Sequence, residues 1–273
     1  MVPPETPELL DTRLRVVTWN VWWRFGPWEQ RQPVILSTLA RIDADVVALQ
    51  ESWEVSGKRS QAAELGAALG YHHAFASGFD AQEALFGNAL LSRWPIVATE
   101  TRQLPTVAGS EEFRVVLKAV IDGPRGPLEV YVTHLNWRFD ESHVRQGEVR
   151  ALAQLVAESV GRTFPPIVCG DFNSPPDADE VRMLTGRMAV PVPRLVFLDA
   201  WEVAGEGSGH TWRNANPFAA HDLEPDRRID YVFVGWPKAR GAGHVTRAWV
   251  DGTEPIDGMH GSDHAAVVAE LRY

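Results

Sequence analysis

The sequence predicts an α/β fold in which two β-sheets pack against each other and the helices lie outside them. The chain has 273 residues, 45% of them hydrophobic, which suffices for one large core. Strands alternate with helices early in the chain, whereas hairpins occur in both halves. The strands also outnumber those that one parallel sheet would need. Two packed sheets explain this mixture better than a single sheet does.

The first half of the chain is interpreted from its hydrophobic periodicity. Residues 1–12 are expected to form a loose N-terminal tail. Val34, Ile35 and Leu39 are spaced as on one helix face, and an Ala- and Leu-rich run closes at Gly70, which is a typical helix end. In chain order, these signals predict a strand at 13–19, a helix at 32–41, a strand at 45–49, a helix at 60–69, and strands at 71–76, 86–91 and 96–104.

The second half begins with a hairpin, predicted from the Gly-Pro-Arg-Gly-Pro turn at 123–127. The elements predicted there are strands at 113–121 and 128–133, a long helix at 142–160, a strand at 167–169, a short helix at 179–184, and strands at 229–234, 245–250 and 265–271. The sequence contains no repeat, no low-complexity tract and no convincing linker. We therefore expect residues 13–273 to form a single domain.

Composition excludes several classes of protein. The formal net charge of −10 argues against a high-affinity, sequence-blind nucleic-acid binder, although it leaves room for a nuclease with a local cationic site. Cys169 is the only cysteine, so an internal disulfide and a thiolate zinc cluster are excluded. The N-terminal residues lack the features of a signal peptide, and no apolar run reaches membrane-spanning length. We expect a cytoplasmic protein with no transmembrane segment and no required protein partner.

Polar residues follow or open several of the predicted strands. Asp171 and Asn173 come directly after the strand at 167–169, which places a carboxylate and a carboxamide in one tight turn. Alone, such a pair is more often an Asx-turn than a functional site. Ligand crevices in open α/β sheets lie at strand ends, however, and the set found there is large. Its members are Asn20, Glu51, His134, Asp171, Asn173, Asp230, Asp263 and His264.

The chemistry of these residues suits one task. Glu51 can bind a hard cation such as Mg²⁺, which prefers carboxylate and water oxygens. His264 can act as a base if a carboxylate orients it. His134 and Asn20 can donate hydrogen bonds to an anionic oxygen, and the turn at 171–173 can aim a water molecule. Together they predict metal-assisted hydrolysis of a phosphate ester.

In their order and spacing, these segments resemble the endonuclease/exonuclease/phosphatase superfamily over nearly the whole chain. The matching segments are Thr-Trp-Asn20, Leu-Gln-Glu51, Thr-His134-Leu, Gly-Asp171-Phe-Asn173, Arg-Ile-Asp230-Tyr and Ser-Asp263-His264. The resemblance implies a four-layered α/β/β/α sandwich with two packed mixed β-sheets. It also implies that Glu51 is the principal Mg²⁺ ligand, with Asn20 close by and Asp263 as a metal-side carboxylate. Mn²⁺ and Ca²⁺ are the alternative cations.

The resemblance assigns the remaining polar residues to catalysis. Asp171 and Asn173 are expected to position the nucleophile and a scissile oxygen. His264, oriented by Asp230, is expected to be the general base, and His134 to donate a hydrogen bond to a phosphate oxygen.

Departures from the family pattern make some enzyme types of the superfamily poorer matches for this chain than others. Trp53 stands where abasic-site endonucleases usually have a lysine, and His134 is a residue that they lack, so a DNA-repair endonuclease is disfavoured. Phe86 stands where several nucleases have a tyrosine, which weakens the case for nucleases of that type. Asn88 is expected to support His134, as a glutamate does in the deoxyribonuclease branch.

A second feature of the strand-end loops is their content of tryptophan and arginine. Such pairs offer stacking together with phosphate binding, although tryptophan is also a frequent core residue. The predicted substrate-binding residues are Trp23, Arg24, Asn88, Arg114, Trp137, Arg138 and Trp212.

We therefore predict a Mg²⁺-dependent phosphodiesterase whose substrate is a phosphate ester, with nucleic acid or nucleotides first. The alternatives are a phospholipid, as for sphingomyelinases, or an inositol phosphate hydrolysed by a phosphatase. An alternative from another class is a catalytically inactive binding module on the same fold. Because every expected catalytic position is filled, the enzyme is preferred.

Overall fold

Two six-stranded mixed β-sheets pack face to face, and helices cover their outer faces. This is the arrangement in a computed structural model that describes residues 8–55, 58–80, 84–107, 113–159 and 163–273. The predicted α/β/β/α sandwich is confirmed.

The described residues contain twelve strands. In chain order they are β1 (Arg13–Asn20), β2 (Val46–Glu54), β3 (His72–Asp80), β4 (Leu85–Ser92), β5 (Ile96–Gln103), β6 (Val115–Gly123), β7 (Gly126–His134), β8 (Ile167–Asp171), β9 (Phe197–Asp199), β10 (Asp230–Gly235), β11 (Val245–Asp251) and β12 (Ala266–Arg272). The first sheet has the order β11-β12-β1-β2-β4-β3, and the second has the order β5-β6-β7-β8-β10-β9.

The helices connect or flank these strands. They are α1 (Trp28–Ile42), α2 (Gln61–Leu69), α3 (Ser142–Ala157), α4 (Asp179–Leu184) and α5 (Ala200–Ala204), with short 3₁₀ turns at Ala220–Asp222 and Ala239–Gly241. The α2 helix begins at the Ser60 cap, whose hydroxyl accepts the Ala63 N–H, and ends at Gly70 in a left-handed conformation. No helix among the described residues is both long and apolar enough to span a membrane.

The core lies in three layers because helices cover both sheets. Between the sheets, Val16 and Leu90 pack with Leu117 and Val130. Apolar residues of α1 and α2 cover the outer face of the first sheet, and those of α3 and α4 cover the second. Sheets buried on both faces explain why several strands read as continuous apolar runs and not as alternating ones.

Some elements differ from those predicted. β2 continues past residue 49 to Glu54, through an irregularity in its pairing with β4. β9 and α5 were not predicted because three and five residues are too few to show a period. α1 begins at Trp28, four residues earlier than predicted. The prediction starts too late because the first buried residue of the helix is an arginine, Arg31, which a search for apolar periodicity does not detect. The predicted helix end at Val160 lies outside the described residues.

Residues 8–12 form neither strand nor helix, and residues 1–7 of the predicted tail lie outside the described residues. The Leu10 N–H donates to the Arg240 carbonyl at 3.0 Å, and Arg272 donates to the Leu10 carbonyl. The end of the predicted tail is therefore hydrogen-bonded to the domain.

Candidate active site

Six strand ends meet at one edge of the two sheets. β1 and β2 run parallel, as do β7 and β8, so their carboxyl ends lie at the same edge. β12 and β10 run antiparallel to these strands and begin where they end. The residues predicted for catalysis or metal binding all lie there: Asn20, Glu51, His134, Asp171, Asn173, Asp230, Asp263 and His264.

The Asp171 carboxylate lies at the centre of this group. Its Oδ2 accepts a hydrogen bond from Asn20 Nδ2 at 3.0 Å and lies 3.5 Å from His134 Nε2 and 3.7 Å from His264 Nε2. Its Oδ1 accepts the Asn173 N–H at 2.8 Å, which forms an Asx-turn. The Asx-turn therefore uses Oδ1 and leaves Oδ2 facing Asn20 and the two histidines, so the turn does not exclude a functional role.

Close approach of the backbones brings His134 beside Asp171. The two residues are register partners on the parallel strands β7 and β8. A Cβ at Gly170 would collide with the Thr133 carbonyl, so the spacing of these strands requires glycine there. Asn173 Nδ2 donates to the Leu135 carbonyl at 3.0 Å, which ties the loop after β8 to the loop after β7.

A histidine–carboxylate pair connects the two sheets. His264 Nδ1 and Asp230 Oδ2 are 2.9 Å apart, and both side chains are buried. Burial lowers the pKa of His264, but the charges of Asp230 and Asp171 outweigh it and hold this pKa well above its usual value. The Trp212 ring packs edge-on against the imidazole at 5.0 Å. The pair has the geometry of a base and its orienting carboxylate.

His134 is held in one tautomer by an arginine. Arg114 Nη1 lies 3.1 Å from His134 Nδ1, and since a guanidinium only donates, Nδ1 accepts and the proton of the neutral ring is on Nε2. Burial and the Arg114 charge lower the pKa of His134 well below its usual value, which keeps the ring neutral. His134 thus presents an N–H donor toward Asp171.

The predicted support of His134 by Asn88 is wrong. The Asn88 amide donates to the backbone carbonyls of Val115 and Val132, at 2.9 and 3.4 Å, and so ties β4 to the second sheet. Among the described side chains, Arg114 is the one within hydrogen-bond distance of His134 Nδ1.

Glu51 has an unusual backbone conformation and an unpartnered oxygen. Its φ of +53° lies in the left-handed region, at the irregularity between β2 and β4. Its Oε1 accepts from Asn20 Nδ2 at 3.1 Å, whereas its buried Oε2 has no hydrogen-bond partner among the described residues. A buried carboxylate oxygen without a donor is costly, and a cation at this oxygen would remove the cost.

Asn20 and Asp263 complete the surroundings of Glu51. The Asn20 amide nitrogen bridges Glu51 and Asp171, while its oxygen accepts the Trp22 N–H at 3.0 Å and keeps a second lone pair. The Ser262 hydroxyl lies 3.0 Å from Asp263 Oδ1 and 2.6 Å from the Asn20 carbonyl.

The site holds more carboxylates than nearby cations can neutralise. Burial, followed by the charge of Asp263, raises the pKa of Glu51 to about 7. Burial, followed by the charge of Asp230, raises the pKa of Asp171 to about 6. Ligand atoms of Asp171, Asp230 and His264 also lie within 4.8 Å of one another, but His264 Nδ1 is already bonded to Asp230. Oxygen ligands with surplus negative charge suit a hard divalent cation on the Glu51 side.

Six of the predicted site residues line an open cavity of about 500 Å³: Glu51, His134, Asp171, Asn173, Asp263 and His264. Arg114 and Arg227 supply positive charge in its wall, and Asp222 and Glu224 supply negative charge. Six aromatic side chains also line it: Trp22, Phe25, Phe79, Phe86, Trp137 and Trp212.

The predicted recognition residues divide into two groups. Arg114, Trp137 and Trp212 line the cavity. The lining does not include Asn88 or the three described residues Trp23, Arg24 and Arg138.

Local packing explains the second group. Trp23 Nε1 donates to the Leu85 carbonyl at 3.3 Å, and the Arg24 guanidinium lies 4.5 Å from the centre of the Trp28 ring. The Arg138 guanidinium lies 5.2 Å from the centre of the Trp137 ring, and its Nε lies 4.0 Å from Glu141 Oε2.

Several lining residues are not among the predicted substrate-binding residues. Trp22 and Phe25 belong to the same Trp-Trp-Arg-Phe run as Trp23, but left-handed φ angles at Trp22 and Trp23 decide which rings face the cavity. Hydrophobic periodicity in the sequence does not indicate which of these rings faces the cavity. Phe86, which the sequence marks only as standing in place of a tyrosine, also lines the cavity, and its ring lies 6.1 Å from the His134 ring.

Comparisons with known proteins agree with this geometry. A family model described as the endonuclease/exonuclease/phosphatase family matches residues 17–264. No curated protein sequence matches the chain significantly. Among solved structures, an endonuclease/exonuclease/phosphatase from Beutenbergia cavernae is 25% identical, with a TM-score of 0.74 over 95% of this chain and 71% of that chain.

Two further structures show the same fold at lower identity. TDP2 from D. rerio, complexed with single-strand DNA product, is 22% identical, with a TM-score of 0.75 over 96% of this chain and 100% of that chain. A mannosyl-6-phosphatase from Bacteroides thetaiotaomicron is 20% identical, with a TM-score of 0.74 over 95% of this chain and 100% of that chain.

Proposed function

Because the chain belongs to the endonuclease/exonuclease/phosphatase family, whose members are phosphoester hydrolases, we propose that it is a Mg²⁺-dependent phosphodiesterase acting on nucleic acid or nucleotides. The observation that carries the proposal is that one cavity is lined by both Glu51, with its unpartnered oxygen, and His264, whose Nδ1 is paired with the buried Asp230. We also propose a cytoplasmic location.

The donor set fits a magnesium ion. Glu51 would be the principal ligand, with Asn20 and Asp263 beside it. When bound, Mg²⁺ would supply positive charge that neutralises the phosphate oxygens and offsets the carboxylates that raise the pKa of His264.

The chain's own residues then divide the chemistry among them. Neutral His264 takes a proton from the attacking water at Nε2 as the water oxygen bonds to phosphorus and the bond from phosphorus to the leaving oxygen breaks, and Asp230 stabilises the imidazolium that forms. The leaving oxygen departs as an alkoxide and takes up a proton from solvent. Asp171 and Asn173 orient this water. His134 donates its Nε2 proton in a hydrogen bond to a phosphate oxygen, which strengthens as negative charge builds on that oxygen.

The cavity supports a substrate with an aromatic group beside its phosphate. Its aromatic lining offers stacking surfaces for a nucleobase, and Arg114 and Arg227 offer charge for phosphate. The net charge of −10 favours nucleotides or short strands over long polyanions. The DNA product bound to TDP2 supports the same substrate class, whereas the mannosyl-6-phosphatase supports a phosphate monoester as an alternative.

A phospholipid is the second candidate, and exposed apolar side chains near the cavity favour it. Phe25 and Trp137, which line the cavity, are 47% and 52% exposed. Phe139, packed on Arg227, is 61% exposed, and Leu223 is 88% exposed between two lining acids. Exposed aromatic and aliphatic side chains around one opening suit a lipid surface as well as a nucleobase.

Activity on a generic diester tests the reaction class. We expect hydrolysis of bis(p-nitrophenyl) phosphate that requires Mg²⁺ and stops with EDTA. A panel of dinucleotides, single-strand oligonucleotides, sphingomyelin vesicles and inositol phosphates then tests the substrate, and the first two are expected to be hydrolysed fastest. Absence of activity on all of them with Mg²⁺, Mn²⁺ and Ca²⁺ would favour the inactive binding module.

Trp137→Ala tests recognition by the cavity rim. Because Trp137 is half exposed, its loss should leave the melting temperature unchanged and act on substrate binding. A stacked base contributes about 1–3 kcal/mol, so we expect KM for an oligonucleotide to rise roughly 5- to 150-fold. Hydrolysis of methyl p-nitrophenyl phosphate, a small diester that cannot span both the reacting centre and the rim, should hardly change.

Trp236→Ala is the matched control for this variant. Trp236 is 62% exposed but follows the far end of β10, away from the cavity. It should change neither substrate's kinetics. Equal losses on both substrates in Trp137→Ala, together with a lower melting temperature, would reject the recognition role.

A further inference from the structure

A buried arginine occupies the apolar face of α1. The buried residues of this helix are Arg31, Val34, Ile35, Thr38, Leu39 and Ile42, which follow helical spacing. Arg31 stands at the first position of the stripe, and its side chain is wholly inaccessible to solvent. An aliphatic residue would suit this position by pattern, and burying a charge is costly unless hydrogen bonds compensate it.

The Arg31 guanidinium donates to five backbone carbonyls in two loops. Four of them belong to the loop 21–25, which follows β1: Nη1 reaches the Val21 carbonyl at 2.8 Å, and Nη2 reaches three more at 2.8–3.0 Å. The fifth bond, from Nη1 to the Gly261 carbonyl at 2.8 Å, reaches the loop before β12. Gly261 lies two residues before Asp263, so one side chain connects two loops that are distant in sequence.

The loop 21–25 does not hold its conformation through local preference. Trp22 and Trp23 have φ angles of +58° and +34°, and such angles are unfavourable for any residue other than glycine. The Trp23 N–H in turn donates to the Glu51 carbonyl at 2.9 Å, where the backbone is also left-handed. Hydrogen bonds thus lead from Arg31 through Trp23 to Glu51.

We propose that Arg31 is a positioning residue: it joins the loop 21–25, which is hydrogen-bonded to Glu51, to the loop that carries Asp263, and so sets the spacing of the metal-side carboxylates. The inference rests on the proposed metal site. Its charge contributes as well: burial lowers the pKa of Arg31 to about 10, so the guanidinium stays protonated at neutral pH and attracts Asp263 and Glu51. Lysine cannot replace it, because an ammonium donates from one point and cannot reach both loops.

Arg31→Lys tests the proposal, with Arg15→Lys as the matched control. Arg15 also donates to a backbone carbonyl, that of Ile42, but lies at the end of β1 remote from the site. For each protein, the rise in melting temperature with Mg²⁺ is measured without substrate, and Mg²⁺ activation of bis(p-nitrophenyl) phosphate hydrolysis is measured in parallel.

In Arg31→Lys, the half-saturating Mg²⁺ concentration should rise about 10- to 100-fold in both measurements, as is usual when support of a metal ligand is lost. Activity should recover partly at high Mg²⁺. The Arg15→Lys variant should keep the wild-type Mg²⁺ dependence even if its melting temperature falls.

The possible failures are distinct. If Mg²⁺ does not raise the melting temperature of the wild-type protein, the metal site is rejected and the inference falls with it. If the wild-type protein responds and Arg31→Lys responds at the same Mg²⁺ concentrations, only the role of Arg31 is rejected. Failure of Arg31→Lys to fold would also reject it, since Arg31 would then be required for the fold and not for the spacing of the ligands.

Discussion

The Glu51→Gln variant is expected to lose roughly a thousandfold in Mg²⁺-dependent turnover, because a bound cation supplies several kcal/mol of transition-state stabilisation and each 1.4 kcal/mol is tenfold. The neutral amide keeps the shape of the side chain but offers the cation far less charge. Turnover of bis(p-nitrophenyl) phosphate across a range of Mg²⁺ concentrations measures the loss.

The fold of this variant should persist. Without metal, Glu51 is a buried acid with an unpartnered oxygen, so an uncharged replacement should not lower the metal-free melting temperature. What should disappear is the rise in melting temperature on addition of Mg²⁺. Glu54→Gln, three residues along β2 and outside the cavity lining, is the control and should keep both responses. Near wild-type turnover of Glu51→Gln at low Mg²⁺ would show that the ligand assignment is wrong.

The second large effect is expected at the histidine–carboxylate pair. His264→Ala should lower kcat by about 10²–10⁴, the usual contribution of a positioned general base. Asp230→Asn should lower it somewhat less, because the amide still contacts Nδ1 but no longer stabilises the imidazolium. Activity on the generic diester at saturating Mg²⁺ is the appropriate measurement.

The double variant decides whether the two residues act together. Since Asp230 acts through His264, the double variant should be hardly slower than His264→Ala. Multiplicative losses would mean that each residue contributes independently. His244→Ala, at an exposed histidine outside the cavity lining, controls for general effects of losing an imidazole and should leave kcat unchanged.

The sequence alone determined the strands and the polar residues at their ends. A buried strand is recognisable from a few consecutive residues, and the polar residue that ends it is adjacent in sequence. Asn20, His134 and Asp171 could therefore be placed at strand ends without knowledge of the sheet order, whereas Glu51 lies at an irregularity inside β2. Since the carboxyl ends of parallel neighbours share an edge, these local predictions sufficed to bring the residues together.

The partners and directions of the side chains were decided only by the tertiary structure. His134 contacts Arg114, which directly precedes β6, the neighbour of β7 in the second sheet. Asn88 lies on β4, which belongs to the first sheet. Trp22 faces the cavity whereas Trp23 does not, because the dihedral angles of the loop after β1 set the direction of each ring.

Arg31 is the clearest example of a residue whose contacts cannot be predicted from the sequence. In sequence it is one charged residue at the start of an apolar helical stripe, and nothing near it indicates burial. Its role depends on carbonyls of two loops, one of them 230 residues away, and such hydrogen bonds exist only after β1 and β12 have paired. Local pattern identifies which residues end strands, but long-range backbone geometry determines what each side chain contacts.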